Sequence, residues 1–187
     1  MGSSRVLALI TFAAVVIVAL LAGGTAAAAA GKLTFTPQAD TEVKEITPNT
    51  NYGTIPHLRV DGSGDPEVKS YLRFAVSGVS GPVKSAKIRL YAYEETVDGP
   101  AIYLTTNAWG ELTTTWNNRP ARIGHRADDR GRIKQDTWVD YDVTKLVQGN
   151  GTYSFALQPF SNDGVYFRSR EAQSNRPELV VTFNPKA

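Results

Sequence analysis

KSYLRFAV (Lys69–Val76) sets Leu72, Phe74 and Val76 on one side of an extended chain and Tyr71, Arg73 and Ala75 on the other. Successive side chains of a strand point to opposite faces, so this alternation predicts a half-buried β-strand. SAKIRLYAY (Ser85–Tyr93) repeats the arrangement, with Ala86, Ile88, Leu90 and Ala92 inward and Lys87, Arg89, Tyr91 and Tyr93 outward. Working outward, further period-two runs begin at Leu33 (LTFT), His57 (HLRV), Ala101 (AIYLT), Thr137 (TWVDYDV), Thr152 (TYSFALQ), Val165 (VYFRS) and Glu178 (ELVVTF), with one more at Asp40–Val43. Gly and Pro in VSGVSGPV, VDGP, QGNGT and SNDG supply the turns between them. From Lys32 onward no long segment carries apolar residues at helical spacing. The one helical hint is DVTKLVQG (Asp142–Gly149), a single turn capped by Asp142 or Thr144. About ten short strands so spaced predict an all-β chain, a single β-sandwich. Thr47–Pro56 and Asn117–Asp136 are too long for hairpin turns and are expected to be irregular loops, where binding residues tend to collect.

The chain has 187 residues, no Cys, and 20 Lys+Arg against 18 Asp+Glu. Without cysteine there is no disulfide framework, cysteine-zinc site or thiol nucleophile. Near-neutral charge argues against nucleic acid as a partner. Residues 1–30 have the form of a signal peptide: Arg5, the apolar Val6–Ala22, then the small-residue tract GGTAAAAAG. Cleavage is expected near Ala28–Ala30, leaving residues 31–187 as one secreted, extracellular domain with no membrane attachment, expected to be a monomer. An uncleaved anchor is the alternative, since a spanning helix needs roughly 17–25 residues. A domain of this size without disulfides relies on its own core, which buries roughly two-thirds of the unfolded chain's surface.

The outward residues Tyr71, Arg73, Arg89, Tyr91 and Tyr93 are expected to form one patch, with Tyr166 and Arg168 extending it. Aromatic faces stack on sugar rings and Arg grips carboxylates with two parallel hydrogen bonds, so the partner this patch suits is an acidic polysaccharide. The bland alternative pairs its arginines with Asp40, Asp142 or Glu171. Asn51 in NYGT and Asn117 in WNNRP are candidates for sugar hydroxyls, with turn chemistry as the alternative; Trp109, Trp116 and Trp138 are expected in the core. Arg122–Lys134 is locally basic and could steer an anionic polymer. It lacks the interleaved aromatics that single-stranded nucleic acid prefers. Catalytic patterns are missing: His57 and His125 are the only histidines, there is no HExxH or GxSxG, and the adjacent Glu94 and Glu95 point apart. A non-catalytic role is expected, with a lyase using Tyr91 or Tyr93 and Arg89 as a further reading. No cofactor is required. A structural calcium ion is one option, with Asp40 and Asp142 foremost and Asp140 and Asp163 behind them as donors.

Nine segments in order, ADTEV (39–43), NTNYGT (49–54), SYLRFAV (70–76), VKSAKIRLY (83–91), TTTWNNRPA (113–121), VDYDVTKLV (139–147), GNGTYSFAL (149–157), SREA (169–172) and PELVV (177–181), resemble the DNRLRE domain, also described as carbohydrate-binding module family 96. The resemblance implies a jelly-roll-like module of secreted and cell-surface bacterial proteins, often appended to polysaccharide-degrading enzymes, with alginate as the characterised ligand. Two departures stand out: Ala75 occupies a position where the family commonly has Asp, and the loop from Arg122 to Asp136 is unusually basic. A structural or adhesive surface module is the competing expectation.

Overall fold

The computed structural model describes residues 30–62 and 66–186. The expected signal segment, residues 1–30, lies outside them apart from Ala30. Eleven strands follow in chain order: β1 (Gly31–Phe35), β2 (Ala39–Lys44), β3 (His57–Val60), β4 (Val68–Val76), β5 (Val83–Ala92), β6 (Ala101–Thr105), β7 (Arg122–Asp128), β8 (Thr137–Asp142), β9 (Gly151–Gln158), β10 (Val165–Arg168) and β11 (Glu178–Phe183). They form two antiparallel sheets. One runs β1-β11-β5-β10-β3, with β8 on the other flank of β5; the second runs β2-β4-β9-β6-β7. The all-β sandwich expected from the alternation is therefore the fold.

The register of β4 and β5 builds the core. Leu72 and Phe74 from β4 and Ala86, Ile88, Leu90 and Ala92 from β5 are completely buried, packed with Phe155, Phe167 and Leu179 from neighbouring strands. Asp142–Gly149 forms a single turn and no assigned helix: the amides of Leu146 and Val147 both donate to the carbonyl of Val143, and Asp142 Oδ1 accepts from the amide of Thr144 at 2.9 Å.

Two departures from the sequence reading matter for function. β7 lies inside the stretch read as irregular. Its residues face solvent along the edge of the second sheet, so no apolar alternation marks it. Gly124, at φ 67°, sits in a break of its register with β6. Tyr71, expected on the surface, is 1% exposed. It does point away from the main core, but the loop between β6 and β7 folds over that outer face, and Tyr71 packs into a second small cluster with Val43, Trp116, Ala156 and the flank of Trp109.

The sheets are also joined by polar contacts. Asp40 and Glu42, both on β2 and both buried, accept backbone N–H bonds from Arg170 (2.8 Å) and Arg59 (2.7 Å), residues that follow β10 and lie on β3 in the opposite sheet. Lys44 Nζ balances Glu42 at 2.9 Å.

Leu90→Ala should lower the unfolding free energy by about 2–5 kcal/mol, the usual cost of an emptied core site. Ala75→Asp, at an exposed position of β4, should change it by less than about 0.5 kcal/mol. Urea denaturation checks both, and comparable losses in the two variants would contradict the assignment of strand faces.

Candidate functional site

On the outer face of the first sheet, β5 presents Lys87, Arg89 and Tyr91 between β8 and β11. Arg89 stands opposite Asp140 of β8 on one side and Glu178 of β11 on the other. Its guanidinium bonds to both, at 3.1 and 3.2 Å, with its central carbon 4.8 Å from the centroid of the Trp138 ring. Tyr91 stands opposite Trp138 and meets it edge to face. The segment between β7 and β8 arches past this face and adds Arg130, Arg132 and Lys134, closing a cleft of about 670 Å³ floored by Trp138, Lys87 and Arg89. Arg130 pairs with Asp128, and Arg132 with Glu95 at 3.6 Å. Lys134 has no carboxylate partner among the described residues. A smaller depression of about 280 Å³, lined by Tyr93, Tyr166, Glu94, Glu95 and Gln135, lies on the other side of the same segment.

Tyr93, Tyr166 and His57 form a row across β5, β10 and β3, with ring centroids 5.7 and 5.3 Å apart. Arg168 covers the Tyr93 ring and Arg59 covers the Tyr166 ring. Burial pushes the Tyr93 hydroxyl up to about 12, and the neighbouring Tyr166 adds to the effect.

The structure thus divides the patch expected from sequence. Arg89, Tyr91, Tyr93, Tyr166 and Arg168 share the outer face of the first sheet. Tyr71 and Arg73 belong to the outer face of the second, because β4 and β5 lie in different sheets. Arg73 lies over Trp109 and donates to the carbonyls of Trp109 (2.7 Å) and Asn107 (3.3 Å), so it fastens the covering loop. Arg89 is ion-paired, as the bland alternative held, but to Asp140 and Glu178.

Asn51 is committed internally: its amide donates to the carbonyls of Glu111 and Thr114 at 2.7 Å and accepts from the amide of Gly53. Gly53 is needed there, since a Cβ would stand 2.2 Å from the carbonyl oxygen of Glu111. Asn117 is exposed and donates to Asn49 Oδ1 at 2.8 Å. Trp138 and Lys87 are the residues that sequence reasoning missed. The signal was present in TWVDYDV, whose alternation turns Val139 and Tyr141 inward and leaves Trp138 outward with Asp140.

Three carboxylates converge where the loop after β6 meets the segment after β10. Ligand atoms of Asp40, Glu111 and Glu171 lie within 4.8 Å of one another. Arg170 stands among them, donating to Glu111 at 3.0 and 3.1 Å and to Glu171 at 3.1 Å. Three carboxylates could supply part of the six to eight oxygens that calcium takes. Asp142 is not among them. It is exposed, and its hydrogen bonds with Thr144 hold its carboxyl below the ordinary range.

The model of carbohydrate-binding module family 96 matches residues 31–183. A gellan lyase from a Bacillus species is 26% identical over 141 residues, which cover 66% of this chain and 6% of the lyase. The chain therefore spans only a small part of that relative's length.

The matched residues include the whole carboxylate cluster, whose chemistry is directly measurable. Burial pushes Asp40 well above the ordinary carboxylate value of 3.8, against the lowering effect of the Arg170 amide, with Glu171 and Glu111 adding to the rise. Between that ordinary value and the raised one, the folded chain holds a proton that the unfolded chain has released, so this group's contribution to stability falls as pH rises through the window. Asp40→Asn keeps an acceptor for the Arg170 amide and should flatten this dependence while matching or exceeding wild-type stability at neutral pH. Asp40→Ala should cost about 1–3 kcal/mol by stranding that amide. Melting curves recorded in EDTA from acid to neutral pH test this, and an unchanged pH profile in Asp40→Asn would contradict it.

Proposed function

Because the chain belongs to carbohydrate-binding module family 96, we propose that it is a secreted, non-catalytic module that holds an acidic, uronate-bearing polysaccharide in the cleft formed by Arg89, Trp138 and the segment between β7 and β8. The observation that carries this reading is the meeting of five cationic side chains with the half-exposed Trp138 in a single cleft. A sugar ring needs an apolar face to stack on and a uronate needs guanidinium or ammonium donors; both are present within one site.

The ion pairs around the cleft are compatible with such a ligand. The side chains of Arg132 and Glu95 are 66% and 64% exposed, and pairs of this kind contribute about 0–1 kcal/mol. A polymer carboxylate can therefore replace Glu95 at little cost. Arg89, held on both sides by Asp140 and Glu178, keeps its guanidinium over the indole, which lowers the ordering entropy of a contact. The relative named gellan lyase supports a polysaccharide setting, and its small overlap supports a module rather than a complete enzyme.

Two features favour binding over cleavage. The Tyr93 hydroxyl, pushed up to about 12, keeps its proton at neutral pH and is poorly placed to act as a base. Arg89 already carries two carboxylate partners. The small-residue tract after Val6–Ala22 supports export, and with it action outside the cell. On this reading the Asp40, Glu111 and Glu171 cluster is structural. A calcium-dependent rise in melting temperature that disappears in Asp40→Asn would assign it a calcium ion; no rise would leave Arg170 as its counter-cation.

In affinity electrophoresis and calorimetry, alginate or pectate should bind and neutral glucans should not, with affinity falling as salt is added. Arg132→Gln combined with Lys134→Gln, or Trp138→Ala alone, should weaken binding about tenfold or more, given about 1.5–3 kcal/mol for hydrogen bonds to charged groups. Prolonged incubation should release no unsaturated uronate. Equal affinity for neutral glucans, or no affinity for any uronate polymer, would overturn the proposal. In the latter case, retention in a washed cell-wall fraction would favour an adhesive role.

A further inference from the structure

The opposite outer face carries a second cationic cleft, of about 510 Å³, between β4 and the start of β7. Lys69 and Tyr71 come from β4, Gln158 from the end of β9, Arg119 from the loop that covers this sheet, and Arg122 from β7, its edge strand. Arg119 lies over Trp116, 3.7 Å from the ring centroid, and donates to the carbonyl of Trp116. Arg122 lies over Tyr103 at 4.8 Å, with a long 3.4 Å contact to Gln158 Oε1. Lys69 reaches over Trp116 from the other direction and pairs with Glu67.

The charge balance differs from that of the first cleft. There, Arg89, Arg130 and Arg132 each have a carboxylate partner. Here, among the described residues, neither Arg119 nor Arg122 has one. A guanidinium has five N–H donors. Aromatic faces hold these two in place, and among the described residues each makes a single side-chain hydrogen bond, Arg119 to the Trp116 carbonyl and Arg122 to Gln158. Burial pushes the Tyr71 hydroxyl up to about 12, against the lowering effect of the Arg119 charge.

We propose that this cleft is a second site for acidic polysaccharide, so that one module takes a chain on each outer face of the sandwich and bridges two polymers. The inference rests on the acidic-ligand reading of the preceding subsection but assigns a different site. Because the outer faces of the two sheets point away from each other across the shared core, a chain seated in one cleft leaves the other open. Bridging then gains the avidity of two linked sites.

Calorimetry with alginate and oligogalacturonate hexamers should give two oligomers per full-length chain. Arg119→Gln combined with Arg122→Gln should reduce this to one, and Arg132→Gln combined with Lys134→Gln should also leave one. Arg122→Gln alone, at an exposed edge position that the fold does not need, should keep the wild-type melting temperature and weaken the second site about tenfold. Wild-type protein should raise the turbidity of long-chain alginate, and either double variant should not. A single oligomer per chain, with binding unchanged in Arg122→Gln, would overturn the second site and leave the first standing. One oligomer per wild-type chain, bound undiminished without Arg132 and Lys134 but lost without Arg119 and Arg122, would place the binding in this cleft and overturn both the first cleft and the bridging. No binding of either hexamer would overturn both.

Discussion

Two buried carboxylates on one edge strand hold the faces of this sandwich in register. Asp40 and Glu42 point from β2 toward the opposite sheet, and each accepts a backbone N–H from it. A buried acceptor that lost its donor would cost about 1–3 kcal/mol, so each bond restricts how the two sheets can slide. Through Arg59, Glu42 fixes β3 and the Tyr166 ring beside it. Through Arg170, Asp40 fixes Glu111, and with it the loop whose backbone Asn51 grips from the other side. That loop leads on to Trp116 and Arg119. Both outer faces thus depend on a polar corner of an otherwise apolar interior.

The two outer faces handle charge differently. On the first, cross-strand neighbours neutralise the arginines: register sets Asp140 and Glu178 on either side of Arg89. On the second, aromatic rings hold Arg119 and Arg122. A net charge near zero, which argues against a polyanion-binding chain when read as a total, comes from carboxylates concentrated at the corner and between strands while cations line both clefts. Among the described residues no helix is long and apolar enough to cross a membrane.

Much of the fold was legible in the sequence because burial imposes period two. Every inward residue expected of β4 and β5 is buried. β7 was not legible: as an exposed edge strand broken at Gly124 it carries no such imprint. The site was legible in its parts and not in its assembly. Alternation tells which side of its own strand a residue occupies, not which sheet the strand joins, so Tyr71 and Arg73 were grouped with Arg89 although a whole sandwich separates them. Nor does it tell whether an outward face stays open, and the loop that buries Tyr71 lies more than thirty residues away along the chain. Trp138, expected in the core for its aromatic bulk, stands at an outward position of β8, where strand parity decides its exposure.

The central claim is that carboxylate-bearing sugars enter the cleft beneath the segment between β7 and β8. The most direct test is a two-dimensional ¹H–¹⁵N NMR titration of the intact chain with a uronate hexamer, following the Trp138 indole N–H and the amides from Arg130 to Trp138. The account predicts that these resonances shift progressively and saturably with the hexamer, and that the shifts reverse with salt. Saturable binding elsewhere on the chain, with the Trp138 indole and this segment unmoved, would contradict it.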